Sequence, residues 1–600
     1  MLRLGIAFVL WQALTVAASA AETGAVPVRI VKLDGGGFRL ERGGEPYLVR
    51  GVGGSGSMEL LKQLGGNSVR TWGVEGLQET LDRAHEHGLT VCVGIWLGHR
   101  RHGFDYNNAD QVAKQQEAVR ETVEKFKNHP AVLLWGLGNE MEGYEKGDDA
   151  AIWSAINNLA AMVKRIDPHH PTMTVTAEIG GERVKNCERL CPDVDILGIN
   201  CYAGGATLPK RYRTAGGVKP YIVTELGPPG PWETPKNAWG AAPELTSTEK
   251  AAAYRKSYEA NVGGESSPCL GTYAFLWGQK QEATATWFGI LLDQETRLAQ
   301  ADALAELWTG KPPANRCPMI ESLTITGPDR AKPGTVIEAK LAVADPENDA
   351  LTTRWVLQAE PSSFSVGGDA EAAGATFADA VTQATTTSCT VKLPEGGGGY
   401  RLLAYVTDGH GGAATANLPL YVDAPVIIPP AKRAELPLVI YDEPGRSDPA
   451  YVPTGWMGNT AGLKLDPEST VQPHAGKTCL QVSYEPGTGW AGVVWQSPPS
   501  DWGDKPGGWD LTGAKRLTFW ARGETGDEKA SFEFGLLGDG KKFRDSAKGK
   551  LGGLELTGEW KQYAIELGEQ DLSRIKTGFA FVITGRKTPL VFYLDDVHYE

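Results

Sequence analysis

Two stretches of the chain end in carboxylates that could share a reaction. "AVLLWGLGNEME", residues 131–142, is apolar until Asn139 and Glu140, and "KPYIVTELGPPGPWE", residues 219–233, is apolar until Glu225. A glutamate closing a buried strand is suited to chemistry: one carboxyl can give and retake a proton while a second, kept ionised, attacks. Arg70 in "NSVRTWG" is a cation that would hold Glu225 in its charged form. Taken singly, each has a plainer alternative: a loop carboxylate for Glu140, a solvated strand end for Glu225 and a surface ion pair for Arg70.

Bringing those residues together requires a particular order of elements. From residue 46 to about 310, eight short apolar runs alternate with helical segments: "PYLVRGV", "NSVRTWG", "LTVCVGIW", "AVLLWGLGNE", "TMTVTAE", "VDILGINCY", "PYIVTEL" and "LGTYAFLW". Near-continuous apolarity is expected of parallel strands covered on both faces. Ile152, Ile156, Leu159, Val163 and Ile166 lie on one face of a helix that Asp148 could cap, and "TSTE" at 246–249 has capping-box spacing. The pattern predicts an α/β fold, a (β/α)8 TIM barrel over residues 46–310. A doubly wound sheet is the alternative, but "GVGGSGSM" lacks the GxGxxG spacing. In a barrel the strand ends face one cleft, so Glu140 on strand four and Glu225 on strand seven would meet there.

The motifs carry a resemblance. "HPAVLLWGLGNE" resembles the acid/base motif of clan A retaining glycoside hydrolases, closest to the family 2 TIM-barrel domain, and "KPYIVTELG" resembles the clan's nucleophile strand. The resemblance implies Glu140 as acid/base, Glu225 as nucleophile, Arg70 as the nucleophile's partner and Tyr202 in "GINCYAGG" as its hydrogen-bond donor. It implies a double displacement through a covalent glycosyl-enzyme, with carboxyl groups about 5 to 5.5 Å apart and Asn139 bonding the sugar 2-hydroxyl. No cofactor is implied for catalysis. Trp277 in "YAFLWG" matches a sugar platform, with core packing as the alternative; Trp96 and Trp232 follow strands three and seven, where their faces could stack on sugar rings. "LGPPGPWE" and the compact barrel are similar to glucan transglycosylases, so glycosyl transfer stands beside hydrolysis. A noncatalytic polysaccharide-binding protein on the same barrel is the reading from another class.

The rest of the chain sets the context. A net charge of −14, without a basic patch, argues against nucleic acid as a partner; the expected partner is an oligo- or polysaccharide. Residues 1–20, with Arg3, an apolar run and "ASA" before a cut near Ala20, read as a signal peptide too short to span a bilayer, which points to a secreted or periplasmic protein. Residues 21–45 read as a β-hairpin leading into the barrel. After a linker at 311–317, residues 318–423 look like an immunoglobulin or polycystic-kidney-disease-like sandwich serving as a spacer. A second linker at 424–437 precedes residues 438–600, which resemble a galactose-binding-like carbohydrate-binding sandwich. There Asp442, Asp595 and Asp596 are candidates for a structural calcium, and Trp490, Trp495, Trp502 and Trp509 either form a sugar platform or pack in the core. Among the eight cysteines, Cys187 and Cys191, or either with Cys269 or Cys317, are the pairs that could bridge.

Overall fold

The computed structural model describes residues 24–100, 104–142, 146–264, 266–361, 371, 373–425, 430–442, 449–460, 462–485 and 489–600; the leader at 1–20 lies outside them. Eight parallel strands close a barrel: β1 Val49–Gly54, β2 Ser68–Arg70, β3 Thr90–Ile95, β4 Val132–Leu137, β5 Thr172–Ala177, β6 Ile196–Cys201, β7 Tyr221–Leu226 and β8 Cys269–Trp277. Every residue of β3, β4, β6 and β7 is buried, which is why these strands lack polar alternation: one face packs inside the barrel and the other against helices. Inside, Val49, Leu134, Met173, Ile196, Ile222 and Tyr273 share one cluster. A Cβ at Gly51 would come within 2.3 Å of the Tyr273 ring, so glycine makes room for that ring.

The helices follow the strands in turn: α1 Met58–Gln63, α2 Leu77–Glu86, α3 Ala109–Phe126, α4 Ala150–Ile166, α5 Arg183–Leu190, α6 Leu208–Thr214, α7 Ser247–Asn261 and α8 Ala299–Thr309. In α4 the face of Ile152, Ile156, Leu159 and Val163 is buried as its 3.6-residue period requires. Its cap is Asp149, not Asp148: the Asp149 carboxylate accepts from Ala151 N at 3.0 Å because the helix starts one residue later. Helix α7 has the capping box, with Thr246 and Glu249 each bonding the other's backbone N–H.

From residue 24 to the barrel the chain forms more than a hairpin. Val28–Lys32, Phe38–Arg42 and Glu45–Tyr47 form a three-stranded antiparallel sheet. It lies across the end of the barrel where the strands begin: Val28 N bonds His169 O, Phe38 N bonds Ser267 O, and Arg42 donates to Pro130 O. Val28 and Leu40 join the interior cluster from below. That end is sealed, and the site has the other.

The chain divides into two compact units, the first holding the barrel and also residues 375–395 and 399–423. The sandwich after the barrel therefore belongs to the barrel's unit. It has two sheets, one built on Thr352–Ala359, Gly398–Thr407 and Gly412–Val422, the other on Met319–Thr326, Val336–Ala344 and Ser388–Lys392. Arg297–Leu298, just before α8, pairs in parallel with Gly412 and Ala413, and Arg330–Ala331 pairs with Tyr421 and Val422.

The second unit contains a six-stranded and a five-stranded antiparallel sheet around a core that includes Phe519, Phe532, Phe579, Phe581 and Phe592. Trp495 is in this core, and Trp509 donates to Ala450 O, so neither is a free platform face; Trp490 is exposed. The Asp595 carboxylate accepts from the backbone N–H groups of His474, Ala475 and Asp596, and Asp596 pairs with His474. Among the described residues no three His, Cys, Asp or Glu side chains cluster to hold a metal ion. All eight cysteines are buried thiols, unbridged. Cys191 donates to Trp153 O and Cys317 to Arg297 O.

Candidate active site

Strand register assembles the site. On β7 and β6, Glu225 stands opposite Asn200, and on β6 and β5, Asn200 stands opposite Ala177. Arg70 ends β2, and Asn139 and Glu140 follow β4, so four strands deliver polar groups to one end of the barrel.

Glu225, 6% exposed, accepts from three side chains. Arg70 Nη1 and Trp72 Nε1 each donate to Oε1 at 3.0 Å, and the Tyr202 hydroxyl donates to Oε2 at 2.6 Å. A buried carboxylate is tolerated when paired and hydrogen-bonded in this way. Arg70 is itself buried and is oriented by a second bond from Nη1 to Thr224 O. Burial and the negative charge of Glu225 push the Tyr202 phenol well above its ordinary 10.0; the hydroxyl stays protonated and donates throughout the neutral range.

From Arg70 the bonding continues to the second glutamate. Arg70 Nη2 donates to Asn139 Oδ1 at 2.7 Å; Asn200 Nδ2 donates to the same oxygen at 3.2 Å and to Glu140 Oε1 at 2.8 Å. Asn200 is fixed in turn by the Thr224 hydroxyl, which donates to its Oδ1 at 2.8 Å. A continuous path thus links Glu225 to Glu140 through Arg70, Asn139 and Asn200. With Asn139 Oδ1 accepting twice, its amide nitrogen is the end left to donate.

The backbone at Glu140 is unusual. Gly138 has φ 77° and Glu140 has φ 54°, a left-handed conformation that costs a non-glycine residue about 1–2 kcal/mol. Two bonds hold the turn, Gly138 N to Ile95 O and Glu140 N to Val175 O. Behind it, the buried Glu142 accepts from Ala177 N at 2.7 Å and from Arg183 Nε at 2.9 Å. A Cβ at Gly138 would meet Met141 at 2.5 Å, so this sharp exit needs glycine on both counts.

Aromatic rings pack around Tyr202. Tyr202, Phe275, Trp287 and Phe288 form a cluster with Trp72 packed against it, and Trp232, 58% exposed, meets Tyr202 edge to face at 5.5 Å. Trp96, 42% exposed, stacks on His99 at 4.8 Å. A cavity of about 240 Å³ beside the loop after β7 is lined by Ala203, Pro228, Pro229, Glu233, Lys250 and Trp287. Trp277 is not a platform: it is 1% exposed and its indole donates to Ser57 O. Trp72 and Asn200, which the motifs do not single out, touch the carboxylates of Glu225 and Glu140. Both stand inside the quoted motifs, two residues from Arg70 and from Tyr202, and that proximity was the available signal.

Comparison with known proteins places the barrel. Residues 56–231 match the family described as glycosyl hydrolases family 2, TIM barrel domain. The chain is 27% identical over 247 residues to a β-glucuronidase of Paenibacillus borealis, covering 34% of this chain and 38% of that protein. It is 29% identical over 167 residues to the β-glucuronidase of Canis lupus familiaris, covering 26% and 22%. It spans less than half the length of these relatives. Among solved structures, a β-D-glucuronidase for Dictyoglomus thermophilum aligns with 19% identity and a TM-score of 0.36, covering 48% of this chain and 54% of that one.

Proposed function

We propose that this chain, whose barrel is a glycoside hydrolase family 2 catalytic domain, is a glycosidase that cleaves β-linked glycosides with retention of configuration. The observation that carries the reading is the bonded path from Glu225 through Arg70, Asn139 and Asn200 to Glu140. It gives one carboxylate a cation and two neutral donors, as a nucleophile needs, and brings the other within reach of the Asn200 amide on the same path.

The steps follow. A Glu225 oxygen attacks the anomeric carbon while the Glu140 proton passes to the departing oxygen, giving a glycosyl ester and a free aglycone. Glu140, now ionised, takes a proton from water; the water oxygen attacks the same carbon, the ester bond breaks and Glu225 regains its charge. Asn139 Nδ2 would donate to the sugar 2-hydroxyl, a bond that strengthens as positive charge grows on the ring. A sugar hydroxyl in place of water gives transfer instead of hydrolysis.

A panel of aryl β-glycosides and β-glucans tests the reading. The wild-type chain is expected to release aryl alcohol with a β-anomeric first product, and Glu225→Gln to lose at least ~10³-fold in kcat. Undiminished turnover in that variant, or an α-anomeric product, would sink it; lengthened glucans would establish transfer. The curated relatives' names put a β-glucuronide in the panel. Export is part of the same reading, supported by the apolar leader, and a mature chain starting elsewhere than near Ala21 would contradict it.

A further inference from the structure

Away from the two glutamates, a buried polar cluster joins the sandwich to the barrel. Glu244, in the segment between β7 and α7, has a side chain 1% exposed and paired with Lys250, also 1% exposed, at 2.5 Å. The Thr286 and Thr284 hydroxyls, from the segment after β8, donate to its two oxygens at 2.8 and 2.6 Å, and Lys250 also donates to Thr286 O at 2.7 Å. The remaining donor comes from the sandwich: Asn417 Nδ2 reaches Glu244 Oε2 at 2.6 Å. Arg401, 3% exposed, holds Asn417 by its Oδ1 at 2.7 Å and reaches across to Ala242 O at 2.9 Å. Thr415 N donates to Ser247 Oγ, at the start of α7.

The two barrel segments fastened here form one wall of the cavity beside the loop after β7, which Pro243, Lys250 and Trp287 help to line. Trp287 donates to Pro229 O, and the Phe288 ring lies 5.2 Å from that of Tyr202, whose hydroxyl holds Glu225. We propose that the sandwich is a working part of the active site, with Arg401 and Asn417 as positioning residues that fix this wall and so set how firmly a glycan is held. This rests on the glycosidase reading for its kinetic consequence, though not for its structural one. A buried carboxylate that loses a donor is relieved most readily by admitting water, and here that means displacing the segments around 242–250 and 284–288. Glu225 keeps its bonds to Arg70, Trp72 and Tyr202, which come from β2, the residues just after it and the residue after β6, none of them in the displaced segments. The loss should therefore fall on substrate binding and spare the chemical step.

Asn417→Leu removes the donor at similar volume, and Asn417→Asp turns it into a like charge facing Glu244. Both are compared in the full chain with Leu402→Ala, which loosens the sandwich core without touching the cluster. Hydrogen–deuterium exchange is expected to quicken at residues 227–246 and 282–290 in both Asn417 variants and to stay unchanged there in Leu402→Ala. KM for a β-glycan should rise about tenfold, with kcat within about twofold, in the Asn417 variants alone. Arg401→Lys, which keeps the charge but cannot span both acceptors, should give smaller shifts of the same kind and covers the case of a variant that does not fold. Parent-like exchange in the two segments, or the same rise in KM from Leu402→Ala, would overturn the proposal. If no glycoside is turned over at all, the exchange result still decides it, so its failure is distinct from that of the glycosidase reading.

Discussion

At the scale of single residues, the contacts of the two glutamates make different demands. Tyr202 gives Glu225 a charge-assisted bond, and such bonds are worth about 1.5–3 kcal/mol; Tyr202→Phe should lower kcat by about 10- to 100-fold, measured on an aryl β-glycoside. In the proposed mechanism Asn200 positions the proton donor instead, through its bond to Glu140. Asn200→Leu should cost about tenfold on glycosides with poor leaving groups and less on activated aryl glycosides, whose departure needs little protonation; equal losses on both would show that Asn200 does not act through Glu140. The two glutamates and Arg70 are legible in the sequence because a charged residue ending an apolar run is conspicuous. Asn200 and Trp72 are ordinary residue types, and only strand register, which sets Asn200 opposite Glu225, gives them partners. Trp277 shows the converse. Its motif suggests a platform, but its indole turns to Ser57, a contact 220 residues away in the chain that no local pattern reveals.

At the scale of elements, the barrel strands were readable because burial on both faces removes polar positions and leaves unbroken apolar runs. Their lengths were not: β2 spans only Ser68–Arg70, three residues of the seven in "NSVRTWG". The third N-terminal strand, Glu45–Tyr47, was hidden because two of its three residues are exposed, so it has no apolar signature. Helix α7 was announced by its cap, and the cap has a measurable weight. Thr246→Ala removes one half of a reciprocal pair and should cost about 1 kcal/mol, seen as a lower denaturant midpoint with an unchanged slope. A change below a few tenths would mean that tertiary packing alone holds that end of the helix.

At the scale of the whole molecule, two compact units predict that calorimetry resolves more than one unfolding transition. Phe532→Ala, in the core of the second unit, should lower one and leave the other in place. Acid should act on the first unit through Glu244. Burial alone would raise its carboxyl, but the charges of Lys250 and Arg401 and the hydrogen bonds outweigh that and hold it below its ordinary 4.5. A carboxyl lowered on folding contributes stability that is present above 4.5 and lost as pH falls through the folded value. The barrel transition should therefore drop on titration from pH 6 to pH 3, and Glu244→Gln should flatten that slope.

The short strands Arg297–Leu298 and Arg330–Ala331 pair with the start and the end of Gly412–Val422. Together they cover parts of a margin that would otherwise offer open N–H and C=O groups to any passing chain. Arg297–Leu298 belongs to the barrel's run into α8, so a sandwich excised as residues 318–423 would lose that cover. It should add copies of itself along the bared margin and elute from a sizing column as dimers and larger species, where the parent chain does not associate through that strand. Severing this join would cost solubility before it cost fold.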